Sequence, residues 1–215
     1  MIIVLVRHGE ARKNLQHRHG EVDPALALLT EAGRLQAAQL ASQIRASAIS
    51  LTKVLHTPRP QCKETAELIA GSLNLPIQKW DKVPAYNLGI LEGLSDREVQ
   101  EQHPVHGRLI EDYRNGKLEL CDVVIPGATD PQQYYSQASN AVAELLRNSE
   151  SIIIVASRSV LIAITSVLLN RSPVRGGGYR EIAWSNGAAA VFEIRNRAGA
   201  SSATFRHDIS SVEIS

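Results

Sequence analysis

The sequence predicts an α/β fold: a three-layer sandwich, with a mostly parallel sheet and helices on both faces. Strand-length apolar runs alternate along the chain with stretches of helical periodicity. That alternation implies parallel strands joined by helical crossovers. The first run, Ile2-Ile3-Val4-Leu5-Val6, is unbroken, as expected of a strand buried on both faces. A chain of 215 residues suits one domain and buries enough surface for a core without disulfide or metal staples.

The elements follow in order. Strand 2–6 opens the fold. A helix is expected over 30–47, with Thr30 as N-cap and Leu35, Ala38, Leu40 and Ile44 on its apolar stripe. A short strand at 52–55, a helix at about 60–72 and a strand at 76–80 end the first half. Residues 83–131 are less regular and read as an insertion within a single domain, with short helices near 95–101 and 105–115. A long helix at about 131–148 places Tyr134, Ala138, Ala141, Val142 and Leu145 on one face. Strand 151–156, helix 159–170 and strand 188–195 complete the alternation, with Trp184 packing under the last strand. Gly176-Gly177-Gly178 marks a mobile loop near the rim. The polar end, 198–215, contains β-prone pieces such as Ala203-Thr204-Phe205-Arg206. It suits an edge strand or a frayed terminus equally.

The chemistry concentrates at Arg7-His8-Gly9-Glu10. A strand buried on both faces delivers its last residues to the carboxyl edge of the sheet, where open α/β proteins place their sites. There a histidine can act as nucleophile and an arginine can hold a phosphoryl oxygen. Gly9 lets backbone come close, and Asn14 is spaced to fold back over the same point. Alone, the tripeptide also fits a chance Arg-His after a first strand.

Composition removes several alternatives. Lys+Arg number 23 against 22 Asp+Glu, so no charge excess points to nucleic acid or a membrane surface. Aromatics are 4%, too few for base-stacking platforms. Cys62 and Cys121 form neither a metal-ligand spacing nor a disulfide framework. That implies no metal and no cofactor, and a reduced, cytoplasmic setting. No signal peptide or membrane-length apolar run is read.

Further motifs sharpen the picture. Leu29-Thr30-Glu31-Ala32-Gly33-Arg34-Leu35-Gln36-Ala37 follows the first signature; Thr57-Pro58 and Glu64-Thr65-Ala66 come next; then Leu91-Glu92-Gly93-Leu94-Ser95, Pro126-Gly127, Ile152–Ser157 and Asn186. In this order, from residue 1 to about 195, the chain resembles the histidine phosphatase superfamily, also called phosphoglycerate mutase-like. The resemblance implies that fold and phosphoryl transfer through a phosphohistidine. It assigns His8 as nucleophile, with Arg7 and Asn14 binding the ligand.

The same resemblance assigns three further functional positions, and the chain departs from the family's residue at each. The family's second arginine corresponds to Gln61, its acidic proton donor to Ala85, and its second histidine to Arg158. Arg59 and Lys63 flank Gln61, but on a helix a two-residue offset turns a side chain about 200° away. Asp81 and Glu92 lie several residues from Ala85. His56 ends the second strand and reads as a surface imidazole or a neighbour of the crevice. The departures remove every proton-transfer group except His8 and keep the site cationic, leaving an anion pocket of Arg7, His8, Asn14, Gln61 and Arg158. Arg12 and Lys13 suit either an anionic substrate or a solvated loop, and Arg171, Arg175 and Arg180 suit the pocket mouth or its rim.

The expected function is binding of a phosphorylated or anionic small molecule, or a phosphoprotein, with weak or specialised phosphomonoesterase activity through His8. The alternatives are an inactive pseudoenzyme serving as a binding or regulatory module, and an enzyme repurposed to other chemistry. Oligomeric state is not legible.

Overall fold

The computed structural model describes residues 1–20, 23–197 and 200–213. Among them the chain runs β1 (Ile2–Arg7), α1 (Arg12–Leu15), α2 (Glu31–Ala46), β2 (Lys53–His56), α3 (Pro60–Leu73), β3 (Ile77–Lys79), α4 (Asp96–Gln102), α5 (Pro104–Arg114), α6 (Pro131–Asn148), β4 (Ile152–Ala156), α7 (Arg158–Leu168), β5 (Ala183–Arg197) and β6 (Ala200–Glu213). The strands form one six-stranded sheet in the order β3-β2-β4-β1-β5-β6. Strands β1 to β4 are mutually parallel; β5 runs antiparallel to β1, and β6 antiparallel to β5.

Side-chain alternation makes the three layers. Val4, Val6, Val54, Ile153 and Val155 point to one face, where they meet Leu40 and Ile44 of α2 and Ala66 and Ile69 of α3. Ile3, Leu5, Ile152 and Ile154 point to the other, against Val142 and Leu145 of α6 and Leu161 and Ile164 of α7. Fully burying each such aliphatic side chain contributes about 1.5–3 kcal/mol.

Helix α2 starts as expected, with Thr30 Oγ1 accepting from Gly33 N at 3.0 Å. Its buried stripe differs from the expected one. Leu35 is 58% exposed and Ala38 is exposed; Gly33, Ala37, Leu40, Ala41 and Ile44 face the sheet. The small residues face inward because the helix start abuts the first loop. A Cβ on Gly33 would stand 2.1 Å from the Glu10 carbonyl oxygen, and one on Gly9 would stand 2.3 Å from that of Gly33. Residue size, rather than hydropathy, therefore sets the phase of this helix.

Strand β5 begins at Ala183 rather than 188, with register shifts against β6 between Trp184 and Phe192. Trp184 lies on this strand, buried, instead of beneath it. The terminal segment adds an edge strand over 200–213, and Phe205 packs edge-on against Phe192 with ring centroids 5.6 Å apart. Residues 198, 199, 214 and 215 of that expectation lie outside the described residues. The Gly176–Gly178 loop, expected to be mobile, is tied by Gly176 N and Gly178 N donating to the Glu119 carboxylate at 2.7 and 3.1 Å.

Strands β1 and β4 are parallel neighbours paired out to Arg7 and Ala156. Their carboxyl ends therefore deliver His8 and Arg158 to one edge. Strand β2 runs parallel on the far side of β4 and leads through Thr57 into α3, which carries Gln61.

Candidate active site

His8 leaves β1 buried, 3% exposed. Its Nδ1 lies 2.7 Å from the Gly9 carbonyl oxygen. A carbonyl oxygen only accepts, so Nδ1 carries the proton and Nε2 keeps its lone pair. Burial, reinforced by Arg7, pulls the imidazole down to about 3. The ring therefore stays neutral near pH 7, the state a nucleophile needs. The backbone behind it is stapled: Gly187 N donates to the His8 carbonyl at 3.1 Å, and Gly9 N to Thr65 Oγ1 at 3.1 Å.

Arg7 ends β1, its Nη1 bonded to the Trp184 carbonyl oxygen. Its buried Nε has no hydrogen-bond partner. Burial, then repulsion from Arg158, lowers its pKa to about 10, so it stays cationic at neutral pH. Asn14 Oδ1 accepts from Ala11 N at 2.9 Å and from Asn186 Nδ2 at 3.2 Å, locking the first loop to β5.

Arg7, His8, Asn14, Gln61, Ala85 and Arg158 line one cavity of about 520 Å³. They come from β1 and its loop, α3, the 83–131 stretch and α7. Gln61 is buried, 1% exposed, and its Oε1 has no partner. A half-turn of that amide presents two N–H donors instead, a neutral substitute for a cation. Arg158 stands at the first turn of α7 and pairs with Glu181, Nε to Oε1 3.3 Å. The Ser157 side chain does not cap that helix, so its N-terminal amides add positive potential at the cavity wall.

Several lining residues carry no motif signal. Arg59 lines the cavity with Lys13. The helix-phase argument against Arg59 fails because Arg59 is the N-cap of α3, in extended conformation ahead of Pro60. Burial, then Arg59, lowers the Lys13 pKa; its Nζ donates to the Gly20 carbonyl at 2.7 Å. Glu181 brings a buried carboxyl to the site, which corrects the expectation that His8 is the sole proton-transfer group there. Further out, Asp96 Oδ1 meets His19 Nε2 at 2.9 Å and Arg114 Nη1 at 3.1 Å. Tyr86, Tyr113, Tyr134 and Tyr179 give the cavity an aromatic lobe.

Other candidates fall outside. His56 is buried, its Nδ1 2.9 Å from the Thr57 carbonyl oxygen, and does not line the cavity. Arg12, Arg171, Arg175 and Arg180 are also absent from the lining; Arg175 pairs with Asp122. Asp81 pairs with Lys79 on the surface, and Glu92 Oε1 accepts from Leu88 N at 2.7 Å. Among the described residues no cluster of three or more His, Cys, Asp or Glu is arranged to hold a metal, and no helix is long and apolar enough to cross a membrane.

A neutral buried histidine with cations around it, at the carboxyl edge of the parallel strands, gives the cavity a chemistry that suits an anion. A family model, the histidine phosphatase superfamily (branch 1), matches residues 3–204, and the chain belongs to that family. It is 29% identical over 160 residues to phosphoserine phosphatase 1 of Hydrogenobacter thermophilus, covering 74% of this chain and 71% of that one. It is 27% identical over 174 residues to the 6-phosphofructo-2-kinase/fructose-2,6-bisphosphatase of Gallus gallus. That match covers 79% of this chain and 33% of the relative, so the chain spans about a third of its length. Among solved structures, a mycobacterial glucosyl-3-phosphoglycerate phosphatase in complex with VO3 superposes with a TM-score of 0.75 at 18% identity, covering 95% of this chain and 96% of that one. A phosphoserine phosphatase mutant from Entamoeba histolytica in complex with phosphoserine gives 0.73 at 18%, covering 97% and 96%.

Proposed function

We propose that this chain is a phosphomonoesterase that passes the phosphoryl group through Nε2 of His8. The observation that carries the reading is the state of His8: buried, protonated on Nδ1 by its contact with Gly9, and held neutral among cations. Arg7 and Arg158, with Lys13 and Arg59 on the same wall, supply the charge that phosphoryl oxygens need in the transition state. Asn14 and Gln61 add polar contacts. The relatives named for phosphatase activity point the same way.

The substrate class is a small phosphomonoester with an apolar or aromatic alcohol, because the space beyond the cations is lined by tyrosines with Ile110, Leu120 and Val123. Position 85 holds alanine where the family resemblance assigns an acid, so an alkyl leaving group depends on a proton donor elsewhere in the cavity, whereas a good leaving group needs none. A general acid is typically worth about 10²–10⁴ in rate. The two cysteines, free in the structure, suit a reducing, cytoplasmic setting.

One observation favours a second reading. Gln61, Ala85 and Arg158, three departures from the family's residues, line the same cavity as His8. A degenerate pocket of this kind would bind an oxyanion or a phosphoprotein without turnover. Hydrolysis of 4-nitrophenyl phosphate separates the two. The phosphatase reading expects turnover that His8→Ala abolishes; binding of vanadate with no turnover in either protein establishes the pseudoenzyme.

A further inference from the structure

We propose that Glu181 is the general acid of this site, delivering to the leaving oxygen the proton that no group at position 85 can supply. This rests on the phosphomonoesterase reading above. Glu181 sits just ahead of β5, on the run ending at Trp184, whose carbonyl oxygen holds Arg7. Its side chain is 10% exposed and lines the cavity that contains His8. Its Oε1 lies 3.3 Å from Arg158 Nε without hydrogen-bond geometry, and makes no hydrogen bond elsewhere. A buried, unsatisfied carboxyl oxygen on a cavity wall is costly unless it is protonated or meets a ligand.

The surroundings support a proton-carrying role. Burial pushes the Glu181 carboxyl above the ordinary carboxylate range, against the opposing pull of Arg158, Arg114 and Arg7. Tyr113 and Tyr179 are close enough for its charge to act on them. Other lining groups fit the role less well. Burial works against the Asp96 carboxylate, but Arg114 and His19 outweigh it and hold its pKa below the usual range. Burial pushes Tyr86 up to about 12, too far from neutrality to give and retake a proton efficiently.

The step balances. Nε2 of His8 attacks phosphorus, the ester P–O bond breaks, and the departing oxygen takes the Glu181 proton and leaves as the alcohol. In the second half the Glu181 carboxylate takes a proton from water as that water attacks the phosphohistidine. Orthophosphate leaves and both groups return to their starting states. Aryl leaving groups need no proton; alkyl leaving groups do.

The test compares 4-nitrophenyl phosphate with 2-phenylethyl phosphate in wild type and Glu181→Gln. The readout is kcat/KM, which reports the steps up to release of the alcohol and not hydrolysis of the phosphohistidine. The proposal expects it to fall about 10²–10⁴-fold in the variant on the alkyl ester while staying near wild type on the aryl ester, which also shows that the variant folds; kcat falls on both esters where the water step limits. In wild type the alkyl kcat/KM should fall as pH rises through the Glu181 pKa, because the acid form is required for release of the alcohol; in the variant that limb should vanish. Using one ester in both proteins cancels the substrate's own ionisation near pH ~6. Equal losses of kcat/KM on both esters would make Glu181 a positioning partner of Arg158 and overturn the proposal. So would an unchanged alkyl kcat/KM, or a wild type active on aryl esters alone. A wild type inactive on both esters would instead overturn the phosphomonoesterase reading, and this proposal with it.

Discussion

At the scale of single residues, the site depends on a histidine that resists protonation. In the folded chain its pKa is about 3, against 6.5 for the free group. Between those values the unfolded chain binds a proton that the native state refuses. Stability from this group is therefore complete above pH ~6.5 and is lost as pH falls towards 3. By pH ~5 the loss amounts to about 2 kcal/mol. His8→Asn should therefore lose less thermal stability between pH 7 and 5 than wild type; equal losses would show that His8 titrates normally. Arg158→Ala should weaken orthovanadate binding at least tenfold, about 1.4 kcal/mol. Calorimetry showing unchanged affinity would remove Arg158 from the ligand's surroundings. The residues that a reader of the sequence can find here are those carried by contiguous motifs, such as Arg7 and His8. Glu181 and His19 sit in no motif and reach the cavity through tertiary folding alone. Arg59 was legible as a cation but not as a neighbour, because its place depends on the helix beginning one residue after it.

At the scale of elements, the decisive contact is backbone on backbone between the first loop and the start of α2. Gly9 and Gly33 leave no room for a side chain. Gly33→Ala should force the two apart, at about 1–3 kcal/mol for such overpacking. That corresponds to a Tm lower by roughly 2–4 °C per kcal/mol. Because Gly9 follows the proposed nucleophile, phosphatase activity at temperatures where the variant is still folded should fall too. A variant with wild-type Tm and activity would mean that the loop and helix slide freely. The same contact explains why the buried stripe of α2 differs from its hydropathy pattern. Leu35 looks like a core residue, but the tight approach selects glycine and alanine for the inward face. Helix α6 has no such constraint, and all five of its expected apolar positions are buried. The start of β5 was illegible for a different reason. Its first residues pair with β6 across irregular register, and local pattern does not report the partner strand.

At the scale of the molecule, a net charge of +1 conceals a concentration of positive charge in one cavity. Phosphate or vanadate should stabilise the fold by mass action, by about 2.7 kcal/mol at 100 times Kd, and so raise Tm. Added salt should weaken the effect, since the Debye length is about 10 Å at 0.1 M. No shift in Tm with oxyanion at any salt concentration would deny the pocket its ligand. The measurement closest to the central claim is direct trapping of the phosphoenzyme. Wild type mixed with excess 4-nitrophenyl phosphate and quenched in alkali should gain one phosphoryl group by intact mass, mapped to His8. The His8→Ala protein should gain none and should not turn over. Turnover that survives in His8→Ala, or a phosphoryl group mapped to another side chain, would contradict the account.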